Sequence, residues 1–151
     1  MTDKSTSACS AKQENLYLSL GSNLGDREEM LHRASALIEE RIGTVQRVSS
    51  FIETEPWGFH SENPFLNAAC LVRTALAPEQ CLDRTQQIER ELGRKTKSQD
   101  GIYHDRPIDI DLLMYGNLHL STPTLTLPHP RMRERDFVMI PLREIMSAAE
   151  H

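Results

Sequence analysis

Two aspartates, Asp109 and Asp111, stand two residues apart in the apolar segment RPIDIDLLMYG, residues 106–116. Strand side chains alternate between faces, so both carboxylates are predicted on one face, about 6–7 Å apart, together with Leu113 and Tyr115. The opposite face then receives Ile108, Ile110, Leu112 and Met114. Two neighbouring carboxylates repel each other and favour a cation between them. Mg²⁺ prefers carboxylate and phosphate oxygens, so the pair indicates a magnesium site, although a solvated strand face has the same alternation.

Basic residues precede and follow this pair. The span from Arg90 to Arg106 holds five Lys or Arg and three Asp or Glu, in a chain with a net charge of −5. A third candidate is His129, which lies between two prolines and is followed by Arg131, Arg133 and Arg135 in LPHPRMRER. Acidic and basic groups on one face suit a metal-bound polyphosphate. The alternatives are a solvated loop and a structural imidazole.

The segment ETEPWGFHSENPFLNAA, residues 53–69, combines aromatic and amide side chains. Trp57 lies in a loop rich in Pro and Gly, and Asn67 is predicted to face away from Leu66 and Ala68 on its strand. A stacking ring and an amide suit a flat heterocycle, although aromatic residues more often belong to the core.

The elements that must position these residues follow from periodicity and turn signals. A buried strand at 16–20 leads into a turn at 21–26, and Asp26 with Glu29 begins a helix that should stop near Gly43. Further strands are predicted at 44–54 and 65–74, and a second helix runs from Pro78 to Gly93. The aspartate strand follows, then a hairpin through residues 116–117 into LHLST, and short helical pieces.

This β-α-β-β-α-β order predicts an α+β, ferredoxin-like sandwich: an antiparallel sheet with helices on one face, the other face free for a site, and a C-terminal hairpin and short helices. The expected organisation is a disordered leader at 1–14 and one domain at 15–151. The net charge of −5 and the lack of a long apolar run argue against nucleic-acid and membrane partners. Cys70 and Cys81 are expected in the core, and three cysteines without CxxC spacing fit a reducing cytoplasm.

Taken together, six segments resemble the 6-hydroxymethyl-7,8-dihydropterin pyrophosphokinase family of folate biosynthesis. They are LSLGSNLGDR, SSFIETEPWG, NPFLNAA, QQIERELGR, RPIDIDLLMYG and LPHPRMRERDFV, and they span about Leu16 to Ile145. The resemblance implies an ATP-dependent diphosphotransferase with a pterin substrate, ATP as co-substrate and two Mg²⁺ ions. The chain is expected to be a monomer.

The resemblance assigns roles by position. Asp109 and Asp111 match the ligands of the magnesium pair and, with Arg94 and Arg106, the catalytic residues. The positions that match nucleotide or phosphate contacts are Gln86, Glu89, Arg94, Arg106, Leu112, Thr126, His129 and Arg135. Those that match the pterin pocket are Thr54, Glu55, Trp57, Phe65, Asn67 and Phe137, with the two phenylalanines on either side of the pterin. In the 93–106 loop, Thr96 and Tyr103 depart from the family pattern.

In the implied reaction, the hydroxymethyl oxygen of the substrate attacks the β-phosphorus of ATP and AMP leaves, with catalysis by positioning and charge neutralisation. Two alternatives remain at this point. A nucleotidyl-transferring, palm-like domain would release inorganic pyrophosphate instead. A non-catalytic sensor or RNA-binding module would not need the metal pair.

Overall fold

The computed structural model describes residues 12–54, 64–93 and 107–146. The elements, in chain order, are β1 (Glu14–Ser22), α1 (Arg27–Arg41), β2 (Thr44–Val48), β3 (Ile52–Thr54), β4 (Phe65–Thr74), α2 (Pro78–Glu91), β5 (Asp109–Tyr115), β6 (Leu120–Ser121), β7 (Thr126–Leu127), a 3₁₀ turn (Met132–Glu134) and α3 (Asp136–Ile145). Of the predicted leader, residues 1–11 lie outside the described residues, and Glu14 is the first residue of β1.

The main sheet is antiparallel, with the strand order β2-β4-β1-β5, and β3 also pairs with β4. This is the order of a ferredoxin-like sandwich, so the predicted fold class is confirmed. The strand predicted at 44–54 is divided into β2 and β3. The division occurs at Ser49, whose backbone N–H donates to Ala69 O while its hydroxyl accepts from Ala69 N, each at 2.9 Å. The Ser49 hydroxyl thus takes the place of a backbone carbonyl as the acceptor of the Ala69 N–H.

The first face of the sheet packs against α1 and α2. The Asp26 side chain caps α1 by accepting from Glu29 N at 3.1 Å, as predicted. Gly93 ends α2 with a φ of 110°, a left-handed conformation that favours glycine. The core between these layers includes the buried side chains Leu18, Leu20, Leu31, Ala34, Ile38, Cys70, Val72, Cys81, Ile88, Ile108, Ile110 and Leu112. The prediction that Cys70 and Cys81 are core residues is confirmed.

The alternation predicted for β5 is interrupted near its end. Tyr17 of β1 pairs with Met114 and the next residue, Leu18, pairs with Leu112, so Leu113 is an extra residue in β5. Because of this bulge, Leu113 and Met114 both point toward the second face of the sheet. Tyr115 packs against the core between the sheet and helices α1 and α2. The predicted faces of Met114 and Tyr115 are therefore wrong, because register with a partner strand cannot be read from the segment alone.

The second face was expected to be free, but α3 covers part of it. Tyr17, Leu71 and Leu113 of the sheet pack there against Val138 and Leu142 of α3. The predicted hairpin is also different, because the partner of β6 is β7 and not β5. Within the three described ranges, no helix is long and apolar enough to cross a membrane.

Candidate active site

The two aspartates lie side by side on the second face, where the sheet is not covered by α3. In the antiparallel register, Asp109 is opposite Gly21 and Asp111 is opposite Ser19 of β1. Gly21 is in turn opposite Asn67 of β4. Adjacent strands lie about 4.8 Å apart, so the row Asp109–Gly21–Asn67 spans about 10 Å. The carboxylate predicted for metal and the amide predicted for pterin thus lie in one row, two strands apart.

A cleft of about 430 Å³ opens beside the aspartates, between α2, β5 and the segment that contains β7. The structure brings together here every described residue that was predicted to contact metal, nucleotide or phosphate: Gln86, Glu89, Asp109, Asp111, Leu112, Thr126, His129 and Arg135. Sequence reasoning missed Leu82 and residues 122–125, which also line the cleft. Their positions depend on the pairing of β6 with β7, which the sequence did not reveal. The roles of these residues remain predictions.

The electrostatics of the cleft centre on Asp111. Burial, followed by the neighbouring charges of Asp109 and Glu89, raises the pKa of Asp111 to about 8, and Arg135 partly opposes this shift. Glu89 reaches the pair from α2, and its carboxylate accepts a hydrogen bond from Ile110 N at 2.8 Å. Ile110, which lies between the two aspartates in β5, is therefore hydrogen-bonded to a third carboxylate, that of Glu89. Because Glu89, Asp109 and Asp111 are close together, the simultaneous ionisation of all three carboxylates is unfavourable unless a cation binds near them.

His129 is held in one orientation by backbone contacts. The backbone N–H of His129 donates to Leu113 O at 2.8 Å, and the ring Nδ1 accepts from Arg131 N at 3.2 Å. Since Nδ1 is an acceptor, the proton of the neutral ring lies on Nε2. Burial and then the charge of Arg135 lower the pKa of His129. The imidazole is therefore a neutral hydrogen-bond donor, suited to a phosphate oxygen.

Arg135 is buried, at 8% exposure, where the cleft approaches α3. Its guanidinium carbon lies 5.8 Å from the ring centroid of Phe137, within the range of a cation–π contact. Arg135 thus lines the nucleotide cleft and also touches a ring predicted for the pterin pocket.

Of the predicted pterin residues that are described, Thr54, Phe65 and Asn67 lie at the adjacent ends of β3 and β4, and Phe137 lies in the first turn of α3. Asn67 Nδ2 donates to Thr54 Oγ1 at 2.6 Å, and Phe65 pairs with Thr54 across β3 and β4. Sequence reasoning assigned Gly21 to a turn, but Gly21 lies in β1. A Cβ there would lie 2.9 Å from Asn67 Oδ1 and 3.4 Å from Phe65 Cδ1. The absence of a side chain at Gly21 therefore leaves space beside Asn67. A glycine next to an apolar strand segment can mark a place where a ligand or another chain segment approaches closely, and this signal could have indicated the role of Gly21 from the sequence.

Four predicted site residues, Glu55, Trp57, Arg94 and Arg106, lie outside the described residues, as do Thr96 and Tyr103. In the part of the chain that is described, no group of three or more His, Cys, Asp or Glu side chains could hold a metal ion. Asp109 and Asp111 would therefore need substrate oxygens to complete the coordination of a cation. This donor set fits Mg²⁺, which is commonly bound through one or two carboxylates and the phosphates of a nucleotide.

Comparisons with known proteins point to one family. Residues 17–147 match the family model of 7,8-dihydro-6-hydroxymethylpterin-pyrophosphokinase (HPPK). The chain is 53% identical over 131 residues to a 2-amino-4-hydroxy-6-hydroxymethyldihydropteridine pyrophosphokinase of Porphyromonas gingivalis, covering 86% of this chain and 89% of that protein. It is 44% identical over 135 residues to the protein of the same name from Bacillus subtilis, covering 89% and 79%.

Solved structures show the same fold. A crystal structure of Plasmodium falciparum HPPK-DHPS superimposes with a TM-score of 0.70 at 16% identity, covering 90% of this chain. The chain spans 42% of that longer protein.

Proposed function

The chain belongs to the 7,8-dihydro-6-hydroxymethylpterin-pyrophosphokinase family, and from this premise we propose how its site transfers pyrophosphate from ATP to the hydroxymethyl group of 6-hydroxymethyl-7,8-dihydropterin. The products are AMP and the pterin diphosphate, in a step of folate biosynthesis. One observation carries the proposal. In the row Asp109–Gly21–Asn67, the carboxylate that we propose as a metal ligand and the amide that we propose as a pterin ligand lie on one sheet face, about 10 Å apart. That distance leaves room for the hydroxymethyl group to meet a polyphosphate.

The polyphosphate lies in the cleft beside β5. Asp109 and Asp111 would hold two Mg²⁺ ions, whose positive charge would neutralise the negative charge that develops on the polyphosphate during transfer. His129 donates its Nε2 proton to a phosphate oxygen, and Arg135 adds a buried positive charge. Arg94 and Arg106, which lie outside the described residues, are proposed to contact the same polyphosphate.

The pterin lies against β1 and β4, with Asn67 on its polar edge. Thr54 holds the Asn67 side chain through the 2.6 Å hydrogen bond, which orients the remaining amide groups toward the ligand. Phe65 and Phe137 are proposed to stack on the two faces of the ring, and Glu55 and Trp57 to complete the pocket. The substrate oxygen then forms a bond to the β-phosphorus while the bond from that phosphorus to the α-phosphate oxygen breaks. AMP leaves with that oxygen and its electron pair, and the hydroxyl proton passes to solvent.

A monomer in the reducing cytoplasm is proposed as the working form. Cys70 and Cys81 are both free and buried, which agrees with a reducing compartment. Size-exclusion chromatography with light scattering would test the monomeric state.

Product analysis tests the reaction itself. The protein is incubated with ATP, Mg²⁺ and the hydroxymethyl pterin, and the nucleotides are separated by chromatography. We expect AMP in equal amount to pterin diphosphate. Formation of ADP would indicate transfer of a single phosphoryl group, and release of inorganic pyrophosphate would indicate nucleotidyl transfer; either result would contradict the proposal.

A further inference from the structure

Glu79, in the first turn of α2, joins this helix to the segment at 122–125. Thr124 Oγ1 lies 3.1 Å from Glu79 Oε1 and 3.3 Å from Oε2, and Thr122 Oγ1 lies 3.3 Å from Oε2. The Thr124 hydroxyl donates to the carboxylate, and the single proton of the Thr122 hydroxyl is shared between Glu79 Oε2 and Leu125 O, which lies 3.2 Å from Thr122 Oγ1. One carboxylate on the helix therefore holds two threonines of a segment that is 43 to 45 residues away in the chain.

The segment also has internal order. Thr122 N donates to Leu125 O at 2.9 Å, and Leu125 N donates to Thr122 Oγ1 at 3.0 Å. It therefore forms a compact turn between β6 and β7, and the contacts with Glu79 attach this turn to α2 as a unit. We call Glu79, Thr122 and Thr124 the latch.

The latch lies at the end of the cleft remote from the charged groups. The cleft is lined by Glu89, Asp109 and Asp111 at one end, and Glu79 precedes Glu89 by ten residues on α2, which corresponds to about 15 Å along the helix. Beside the latch, the lining includes the apolar side chains of Leu82, Pro123 and Leu125. A polyphosphate bound at the aspartates would place its base between these side chains, since flat bases favour apolar walls.

We propose that Glu79 is a positioning residue for the nucleotide base. By attaching the 122–125 turn to α2, it sets the distance between the two walls that enclose the base of ATP. This inference rests on the proposed function, because it takes the phosphates of a nucleoside triphosphate to lie at Asp109 and Asp111. Glu79 itself lies outside the cleft lining and acts through the turn.

The test compares two ligands that share the phosphate end. Mg·ATP has a base and inorganic triphosphate has none, so only Mg·ATP should depend on the latch. Glu79→Ala is expected to weaken Mg·ATP binding about tenfold in isothermal titration, because it removes charge-assisted hydrogen bonds. Binding of magnesium triphosphate should be unchanged. In turnover assays, KM for ATP should rise with kcat within about twofold.

Matched variants separate this role from general stability. Thr124→Val removes one hydroxyl of the latch and should reproduce part of the loss, and Glu79→Gln, which keeps an acceptor, should restore part of the affinity. Asp83→Ala is the control, because Asp83 is an exposed acid on the same helix. Its carboxylate accepts a hydrogen bond from Gln87 of the same helix. This substitution should leave both ligands unaffected.

An equal loss of affinity for both ligands, or an unchanged affinity for Mg·ATP in Glu79→Ala, would overturn the inference. Failure of the unmodified protein to bind Mg·ATP would overturn the proposed function, and this inference with it.

Discussion

Replacing Asp111 by asparagine is expected to stabilise the metal-free protein while it abolishes the reaction. Asp111 is crowded by Asp109 and Glu89, and burial with these charges raises its pKa to about 8 from an ordinary 3.8. Asparagine keeps the shape of the side chain and removes the charge. The same substitution removes a proposed metal ligand, so kcat should fall by about a thousandfold or more.

The direction of the pH dependence follows from where the proton is bound. Between about pH 4 and pH 8, the folded protein keeps a proton on Asp111 that the unfolded chain has released. The free energy of unfolding therefore falls as the pH rises through this window, and the loss is complete above the folded pKa. The pKa difference sets an upper limit of roughly 6 kcal/mol. Water in the cleft and movement of the other carboxylates reduce this limit, and we expect ~2 kcal/mol.

The assay is urea unfolding of both proteins in EDTA, at about pH 5 and about pH 8. The advantage of Asp111→Asn over the unmodified protein should grow by ~2 kcal/mol between these two values. Asp83→Asn, at an exposed position of α2, is the control and should show no such pH-dependent gain. If the difference between Asp111→Asn and the unmodified protein does not change with pH, the reasoning about crowded carboxylates is refuted.

Three further outcomes are expected at the pterin end and in the core. Gly21→Ala should raise KM for the pterin about tenfold with little change in KM for ATP, because its Cβ would lie 2.9 Å from Asn67 Oδ1; an unchanged pterin KM would refute the spatial role of this glycine. Asn67→Ala should weaken pterin binding in a direct titration by about tenfold or more, and equal binding would remove the amide from the proposed pocket. In a Cys9→Ser background, Cys70 and Cys81 should react with a thiol reagent only after unfolding, since burial raises their thiol pKa values to about 12 and about 11; rapid labelling of the folded protein would contradict their burial.

Much of the fold could be predicted because its signals are local. The capping pair at the start of α1, the helical spacing of its apolar residues and the glycine that ends α2 each depend on a few neighbouring residues. The alternation of β5 holds as far as Leu113 for the same reason. It fails at Met114 and Tyr115, because the bulge is defined by the pairing of β5 with β1.

The features that sequence reasoning missed depend on distant residues. The turn at 122–125 reaches the cleft through the pairing of β6 with β7, and α3 covers the second face through contacts with β1 and β4. Gly21 looked like a turn residue because its spatial role depends on Asn67 and Phe65 of another strand. The pKa of Asp111 likewise depends on Glu89, which comes from a helix.

The most direct test of the account is a paramagnetic relaxation measurement. Mn²⁺ and a non-hydrolysable ATP analogue are added to ¹⁵N-labelled protein together with the hydroxymethyl pterin. We predict that the amide signals of Ile110, Asp111 and Gly21 broaden, along with the hydroxymethyl protons of the pterin, whereas signals of the exposed face of α1 remain sharp. Broadening centred on another part of the protein, with the signals of Ile110, Asp111 and Gly21 sharp, would contradict the claim that Asp109 and Asp111 bring the metal-bound nucleotide and the pterin together on one sheet face. Sharp pterin signals with the pterin bound would contradict it as well.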